Sequence, residues 1–143
     1  MGAGLSKIGL TPVLHTIAPF LIDRSYEQIK LDFGYQNLPV NLVSVGGSFD
    51  YSQLGCSHHT YADVSMICHI KNSNVFIPGS DVEFDLLFSR QYKNHRINYF
   101  RLPNNPHGLI FNSNGYVTKP ISVTQIENLG KLSDIEKCNN FKD

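Results

Sequence analysis

Apolar runs of strand length alternate with segments of helical periodicity through residues 1–102, and this alternation limits the fold more than any other feature. Four such runs are predicted to form strands, at residues 11–16, 40–45, 74–78 and 97–102. Parallel strands require crossover connections, which are usually helices. The pattern therefore predicts an α/β domain in which helices flank a parallel sheet.

The segments between these runs carry helical signals. In the first segment, apolar residues recur on one helical face, at Ile22, Tyr26, Ile29 and Phe33. We expect Gly34 to end that helix and a second, short helix to cover residues 64–68. Ser80 followed by Glu83 has the spacing of a capping box, in which each side chain binds the other's backbone N–H, so a third helix is predicted to begin there.

The composition changes after residue 102. Residues 103–143 hold too few apolar side chains for a core of their own, although a hairpin is predicted over 109–118 and a short helix over 132–141. We interpret residues 1–102 as one domain. Residues 103–143 are interpreted as an irregular tail, made of a linker and the beginning of a following domain.

The charge balance excludes several classes of partner. The 143 residues include 12 Lys+Arg and 12 Asp+Glu, so we expect neither nucleic acid nor an anionic membrane surface as a partner. The apolar stretch after Lys7 resembles a secretory signal, but Pro12, His15 and Pro19 interrupt it. The 3 cysteines show no repeated spacing, which does not favour a disulfide framework, and a cytoplasmic location is expected.

The strongest local candidate for chemistry is the loop at residues 55–59, which contains Cys56, His58 and His59. It follows the predicted strand 40–45, and open α/β sheets bind ligands beyond the carboxyl ends of their strands. Histidine has a pKa suited to proton transfer near neutrality. Two surface histidines without a function explain the same pattern, and both interpretations stay open.

Other constellations are weaker. A zinc site could be formed by Cys56, His58, Cys68 and His69, but their spacing fits no standard ligand pattern. A nucleophilic pair of Cys56 and His58 has no support beyond proximity in the sequence. The glycine-rich start, Gly2–Lys7, lacks the final glycine and the preceding strand of a phosphate loop, so its small residues predict close helix packing instead.

A family resemblance rests on residues spread over the whole domain: 2–6, 16–20, 24–30, 55–59 and 99–102, together with Asp63, Pro78 and Glu83. In order and spacing they resemble the pyrimidine-binding domain of transketolases, which depend on thiamine diphosphate. The resemblance is greatest to the C-terminal section of two-part transketolases and more distant to deoxyxylulose-phosphate synthase. It implies the thiamine-diphosphate-binding pyrimidine-domain fold, and it covers residues 1–102.

The resemblance also implies roles for single residues. Phe20 falls on the family's central aromatic residue, which clamps the aminopyrimidine ring of the cofactor, and Ile17 and Asp23 fall on the flanking positions. His58 matches a histidine that handles protons of the substrate near the cofactor. Ser57 replaces the family's threonine and keeps its hydroxyl.

Two exchanges concern the substrate. Leu54 stands where relatives have an aspartate that contacts sugar hydroxyls, and Ile77 stands where typical transketolases have an arginine. The resemblance implies transfer of a two-carbon ketol unit between sugars or sugar phosphates. These exchanges argue against an ordinary pentose phosphate as the substrate.

The resemblance further implies a partner. In the family, a different domain carrying Gly-Asp-Gly holds the diphosphate and Mg²⁺, and no Gly-Asp-Gly occurs in this sequence. The family's essential glutamate lies a few residues before the segment that matches Gly2–Lys7. We therefore expect an oligomer with a diphosphate-binding subunit, and no activity of the 143-residue chain by itself.

Two alternatives remain open. The first is a non-catalytic remnant, or an interaction module, that keeps the fold. The second is a small sugar- or nucleotide-binding module, which has only the generic α/β fold in its favour.

Overall fold

A computed structural model describes residues 1–104, where a four-stranded, all-parallel sheet forms the centre. Its strands are β1 (Val13–Ile17), β2 (Val40–Val45), β3 (Ser73–Phe76) and β4 (Ile97–Leu102). Their spatial order is β1-β2-β4-β3. The predicted α/β architecture with a parallel sheet is confirmed. The hairpin and helix predicted for the tail lie outside the described residues.

The helices are short and partly irregular. In the described part of the chain, the four α-helices are α1 (Gly2–Lys7), α2 (Tyr26–Gln28), α3 (Asp63–Cys68) and α4 (Asp81–Gln91). Two π-helical segments, Pro19–Asp23 and Ile29–Tyr35, flank α2, and two 3₁₀ turns, Ser52–Leu54 and Cys56–His58, lie in the loop after β2. Across residues 1–104, no helix has the length and apolar character that crossing a membrane requires.

The middle of the sheet is formed by β2 and β4, and both have the bounds that the sequence predicted. Their residues pair in parallel, from Val40 opposite Ile97 to Val45 opposite Leu102. Strands covered on both faces read as nearly continuous apolar runs, which is why these two were recognisable. The outer strands are shifted by one or two residues from the predicted positions.

The predicted helical face after β1 is buried as expected, with Ile22, Ile29 and Phe33 at most 5% exposed. The backbone differs from the prediction, because two π-helical segments and α2 replace one continuous α-helix. Gly34 does not end the helical segment, which continues to Tyr35.

Close packing explains Gly34 better than helix termination does. A Cβ on this residue would lie 2.6 Å from Cγ2 of Ile70. Close packing also explains Gly2, whose added Cβ would meet side-chain atoms of Leu14 and Phe33 at 3.2 and 3.3 Å. The prediction that the glycine-rich start serves helix packing agrees with Gly2 but not with Gly4, whose added Cβ would meet nothing within 4 Å.

Helix α4 begins as its capping signal predicts, with one correction. The backbone N–H of Glu83 donates to Ser80 Oγ at 3.2 Å. The Glu83 carboxylate accepts from the N–H of Gly79 at 2.7 Å, one residue earlier than expected. Apolar side chains of the helix pack on the sheet through Phe100, whose ring centroid lies 5.7 Å from that of Phe84 and 5.3 Å from that of Phe88.

Candidate functional site

Phe20 and His58 meet at the carboxyl edge of the sheet. Phe20 lies in the π-helical segment that follows β1, and His58 ends the second 3₁₀ turn after β2. Their ring centroids are 5.2 Å apart and the planes are inclined by 59°. Both side chains are half-buried, so each ring keeps a surface that a ligand can reach. This edge is where open α/β sheets bind ligands.

A flat cationic group already rests on the Phe20 ring. The guanidinium carbon of Arg24 lies 3.7 Å from the ring centroid, which is a cation–π contact. Arg24 Nη2 also donates to the carbonyl of Ser57 at 3.4 Å. One face of the Phe20 ring therefore already holds a planar cationic group, and a ligand that stacks on this face displaces Arg24.

The His58 ring is oriented by its neighbour. Ser57 Oγ and His58 Nδ1 are 3.0 Å apart, and this contact engages one ring nitrogen. Among residues 1–104, Nε2 of His58 has no hydrogen-bond partner, which leaves it available for proton exchange with a ligand.

Asp23 connects the Phe20 segment to the end of the His58 loop. Its Oδ1 accepts from Thr60 Oγ1 at 3.0 Å. Asp23 is exposed as a residue, but partial desolvation of its carboxyl raises its pKa above the ordinary value of 3.8; the Thr60 hydrogen bond lowers the pKa and the negative charge of Asp63 raises it further. Because its pKa is higher in the folded chain than in the unfolded chain, ionised Asp23 disfavours folding above that folded pKa.

Replacing Asp23 by asparagine is expected to stabilise the protein slightly at pH 7, by about 0.5 kcal/mol or less. The amide keeps an Oδ1 acceptor for Thr60 and removes the charge. The gain should shrink as the pH falls toward 3.8, since the carboxyl of the unchanged protein then becomes neutral as well. Thermal unfolding of the unchanged protein and of Asp23→Asn, between pH 7 and pH 4, measures this gain in stability. Asp32→Asn is the control, since Asp32 is also exposed but has no bond to Thr60, and an equal gain there would contradict the explanation.

A buried polar network lies beneath this edge. Asp63, the first residue of α3, is 1% exposed. Its Oδ2 accepts from Tyr99 Oη and from Arg101 Nε, each at 2.7 Å. Tyr99 Oη is also 2.8 Å from Ser44 Oγ. Burial raises the pKa of Tyr99 above its ordinary value of 10.0, so the phenol stays protonated and donates to the carboxylate.

The two glycines after β2 make room for this network. An added Cβ on Gly47 would coincide with the guanidinium of Arg101, so the arginine crosses the chain at this residue. Gly46 has a φ of +71° and an added Cβ there would meet the ring of Tyr51. Glycine is therefore required at both positions, for close approach at one and for backbone conformation and space at the other.

The other candidate residues lie around this edge or on the surface. Ile17 is the half-buried last residue of β1. Leu54 and Ile77 are 55% and 57% exposed and follow β2 and β3. Cys56 and Cys68 are exposed free thiols. Within residues 1–104, no group of three or more His, Cys, Asp or Glu residues is arranged to hold a metal ion.

The functions of Arg24, Asp63 and Arg101 were not predicted from the sequence, where these residues entered only as matches to the family. Each pairs with a group at least 4 residues away, and two of the pairs join different elements. The local signal in the sequence is the pair Gly46-Gly47, directly after the predicted strand 40–45.

Fold and edge together define an α/β domain whose candidate site is formed by the segments after β1 and β2. Comparison with known proteins identifies it further. The family model described as "Transketolase, pyrimidine binding domain" matches residues 1–106. The chain belongs to this family, and its matched part is a transketolase-type pyrimidine-binding domain.

Individual relatives agree with this assignment. An uncharacterized 33.6 kDa protein in the fasciation locus of Rhodococcoides fascians is 41% identical over 103 residues, covering 71% of this chain and 33% of the relative. An apulose-4-phosphate transketolase subunit of Actinobacillus succinogenes is 35% identical over 97 residues, covering 68% of this chain and 30% of the relative. The chain thus spans about a third of the length of these curated relatives.

A solved structure shares the fold. A split-gene transketolase, described as an inactive beta4 tetramer, superposes with a TM-score of 0.67 at 23% identity, covering 83% of this chain and 37% of the other. At this identity the likeness concerns the fold. It agrees with the parallel sheet and flanking helices described above.

Proposed function

We propose that this domain supplies the pyrimidine-binding half of a composite thiamine diphosphate site in a transketolase-type enzyme, which transfers a two-carbon ketol unit between sugars. The observation that carries the proposal is the contact between Phe20 and His58, with ring centroids 5.2 Å apart at the carboxyl edge of the sheet. An aromatic surface to hold a flat ring and a histidine to move protons are thus adjacent.

The residues present fit one half of the cofactor. Phe20 already carries a planar group, the Arg24 guanidinium, on its ring, and the half-buried Ile17 belongs to the strand that leads to it. When bound, the cofactor supplies the carbanion chemistry, and the protein supplies orientation and proton transfer. In this proposal Phe20 and Ile17 hold the pyrimidine ring, and Nε2 of His58 exchanges protons with the substrate's oxygens.

The other half of the site is proposed to come from a diphosphate-binding subunit, in an oligomer located in the cytoplasm. Residues 1–104 contain no cluster of metal ligands for the Mg²⁺ that accompanies a diphosphate, and the sequence lacks Gly-Asp-Gly. The apulose-4-phosphate transketolase relative is, by its name, one subunit of a larger enzyme, which supports a partner here.

The substrate is proposed to be a sugar other than an ordinary pentose phosphate. By the family resemblance, Leu54 and Ile77, both more than half exposed, stand where relatives have an aspartate that contacts sugar hydroxyls and an arginine, which both suit polar substrate groups. An apolar side chain cannot offset the cost of desolvating such groups.

A second candidate function, a non-catalytic interaction module, is favoured by the exposed aromatic residues of the same loop. Phe49 and Tyr61 stack with ring centroids 6.2 Å apart and are 58% and 80% exposed. Exposed apolar surface of this kind marks interaction sites. The two candidates differ in whether the Phe20–His58 edge binds the cofactor's pyrimidine ring.

Titration of the ¹⁵N-labelled full chain with thiamine, followed by NMR, tests the proposal. We expect weak binding, with a dissociation constant of about 1 mM, and shifts centred on Phe20 and His58. Thiamine diphosphate should bind about as weakly, with or without Mg²⁺, because the described residues offer no cluster of ligands for the Mg²⁺ that accompanies a diphosphate. Calorimetry at millimolar thiamine diphosphate with Mg²⁺ should then show no tight binding.

Phe20→Ala is expected to weaken thiamine binding at least about tenfold, which corresponds to ~1.4 kcal/mol. Phe49→Ala is the matched control, since it removes an exposed aromatic ring from the same edge and should leave the affinity unchanged. If thiamine causes the same chemical-shift changes in Phe20→Ala as in the unchanged protein, the interaction module is favoured. Tight, Mg²⁺-dependent binding by the chain alone would contradict the half-site.

A further inference from the structure

We infer that the buried Arg101–Asp63 ion pair is a positioning unit, which fixes the loop 48–60 so that His58 lies against Phe20. This inference rests on the proposed function for its consequence in binding, but its geometry stands on contacts in this chain. Three steps connect the ion pair to the two rings.

The first step runs from the ion pair to the start of the loop. Arg101 donates through Nε to Asp63 Oδ2 and through Nη2 to Ser48 Oγ, each at 2.7 Å. One guanidinium thus joins the first residue of α3 to the first residue of the loop. The path over Gly47 leaves no room for a side chain on that residue, so the crossing depends on the arginine and the glycine together.

The second step joins the two ends of the loop. Ser48 has a φ of +55°, a conformation that non-glycine residues rarely adopt. Its carbonyl accepts from the N–H of Thr60 at 3.0 Å, in an isolated antiparallel bridge. Thr60 is 1% exposed. Residues 48 and 60 are therefore held as one unit, and the 3₁₀ turn that carries His58 lies between them.

The third step connects the end of the loop to the Phe20 segment. Thr60 Oγ1 donates to Oδ1 of Asp23 at 3.0 Å, and Asp23 closes the π-helical segment that contains Phe20. The loop tip has longer contacts, from Arg24 to the Ser57 carbonyl and from His59 to the Ser52 carbonyl, both at 3.4 Å. The position of His58 is therefore set mainly at the base of the loop.

The geometry points to positioning rather than stability as the main role of the pair. Buried ion pairs contribute little net stability, because desolvation of the charges offsets their attraction. The planar guanidinium, however, donates to two acceptors in fixed directions at the same time, which a single ammonium group cannot do. An ordered side chain that supports a site residue is the usual means of holding that residue in a productive place.

Two variants test the inference, Arg101→Lys and Ser48→Ala. Lysine keeps the charge but cannot reach Asp63 and Ser48 together, and alanine removes only the hydroxyl that Arg101 binds. We expect both full-length variants to fold, to lose the NMR cross-relaxation between the Phe20 and His58 rings, and to bind thiamine about fivefold more weakly. Asn74→Ala, on the outer strand β3, is the control that lowers the melting temperature and leaves the ring contact intact.

The outcomes separate the two proposals. If the variants keep the contact between the Phe20 and His58 rings and only have a lower melting temperature, as the control does, the ion pair serves stability alone and the inference is overturned. If the unchanged protein does not bind thiamine but Ser48→Ala abolishes the ring contact, the proposed function fails and the positioning role stands. If Arg101→Lys does not fold, Ser48→Ala decides, since Ser48 is half-exposed and its removal leaves the ion pair in place.

Discussion

Replacing Asp63 by alanine is expected to lower the free energy of unfolding by about 3–5 kcal/mol, which is a large part of the stability of a small domain. Asp63 is 1% exposed and accepts from both Arg101 and Tyr99. Its removal leaves a mostly buried guanidinium, with a side chain 19% exposed, without its counter-charge. It also leaves the Tyr99 hydroxyl with Ser44 as its remaining partner. Urea unfolding followed by circular dichroism measures the change.

A double variant shows whether the loss comes from the uncompensated charge. Asp63→Ala combined with Arg101→Ala removes both charges, so the double variant should be less destabilised than the sum of the two single variants. Asp32→Ala, at an exposed position, should change stability by no more than about 0.5 kcal/mol. Strict additivity of the two buried substitutions would show that the carboxylate and guanidinium do not act as a pair.

Parts of this fold follow from local sequence. The bounds of β2 and β4 were predictable because both strands are covered on both faces, and their apolar runs end at turn residues. Ser80 identified the start of α4 because an N-cap depends on residues three positions apart. The π-helical segments around α2 were not predictable from the same face of Ile22, Ile29 and Phe33, since the apolar spacing of an α-helix and that of an irregular helix overlap.

The candidate site required information beyond local pattern. Phe20 and His58 are 38 positions apart, and periodicity placed only His58 at the ligand-binding edge. The family resemblance supplied Phe20 and Ile17. The contacts that hold this edge in place depend on strand register and strand order. Arg101 reaches Asp63 and Ser48 because β4 lies beside β2. No residue spacing in the sequence predicts that these two strands are neighbours.

One long-range feature of the sheet, a row of asparagines across three strands, is visible in the sequence. Three of the predicted strands carry asparagine at or near their first residues, at Asn41, Asn74 and Asn98. In the sheet these three residues are in register across β2, β4 and β3. Asn98 Nδ2 donates to Asn41 Oδ1 at 3.0 Å, and Asn74 Nδ2 donates to Asn98 Oδ1 at 3.0 Å. The strands were predicted from their apolar residues alone, and the asparagines did not contribute to that prediction.

Asn98→Ala is expected to lower the free energy of unfolding by about 2–3 kcal/mol, because a buried polar group that loses its partner costs ~1–3 kcal/mol. Asn98 is fully buried, and its amide also binds the carbonyl of Gln91 and the side chain of Asn94 near the end of α4. Alanine would leave Asn41 Oδ1 without its donor, while the Gln91 carbonyl would keep the N–H of Asn94 as its partner. Urea unfolding provides the measurement, with hydrogen exchange of β4 amides as a local readout.

Asn74→Ala is the matched control, since it removes the same side chain from a half-buried position on the outer strand β3. It breaks one bond to Asn98, and a loss of about 1 kcal/mol is expected. Asn98→Leu distinguishes two explanations for the stability of β4, namely apolar burial and the hydrogen-bonded row of asparagines. If apolar burial alone held β4 between its neighbours, leucine would stabilise the sheet, whereas the hydrogen-bonded row predicts a loss comparable to that of alanine because the partners stay unpaired.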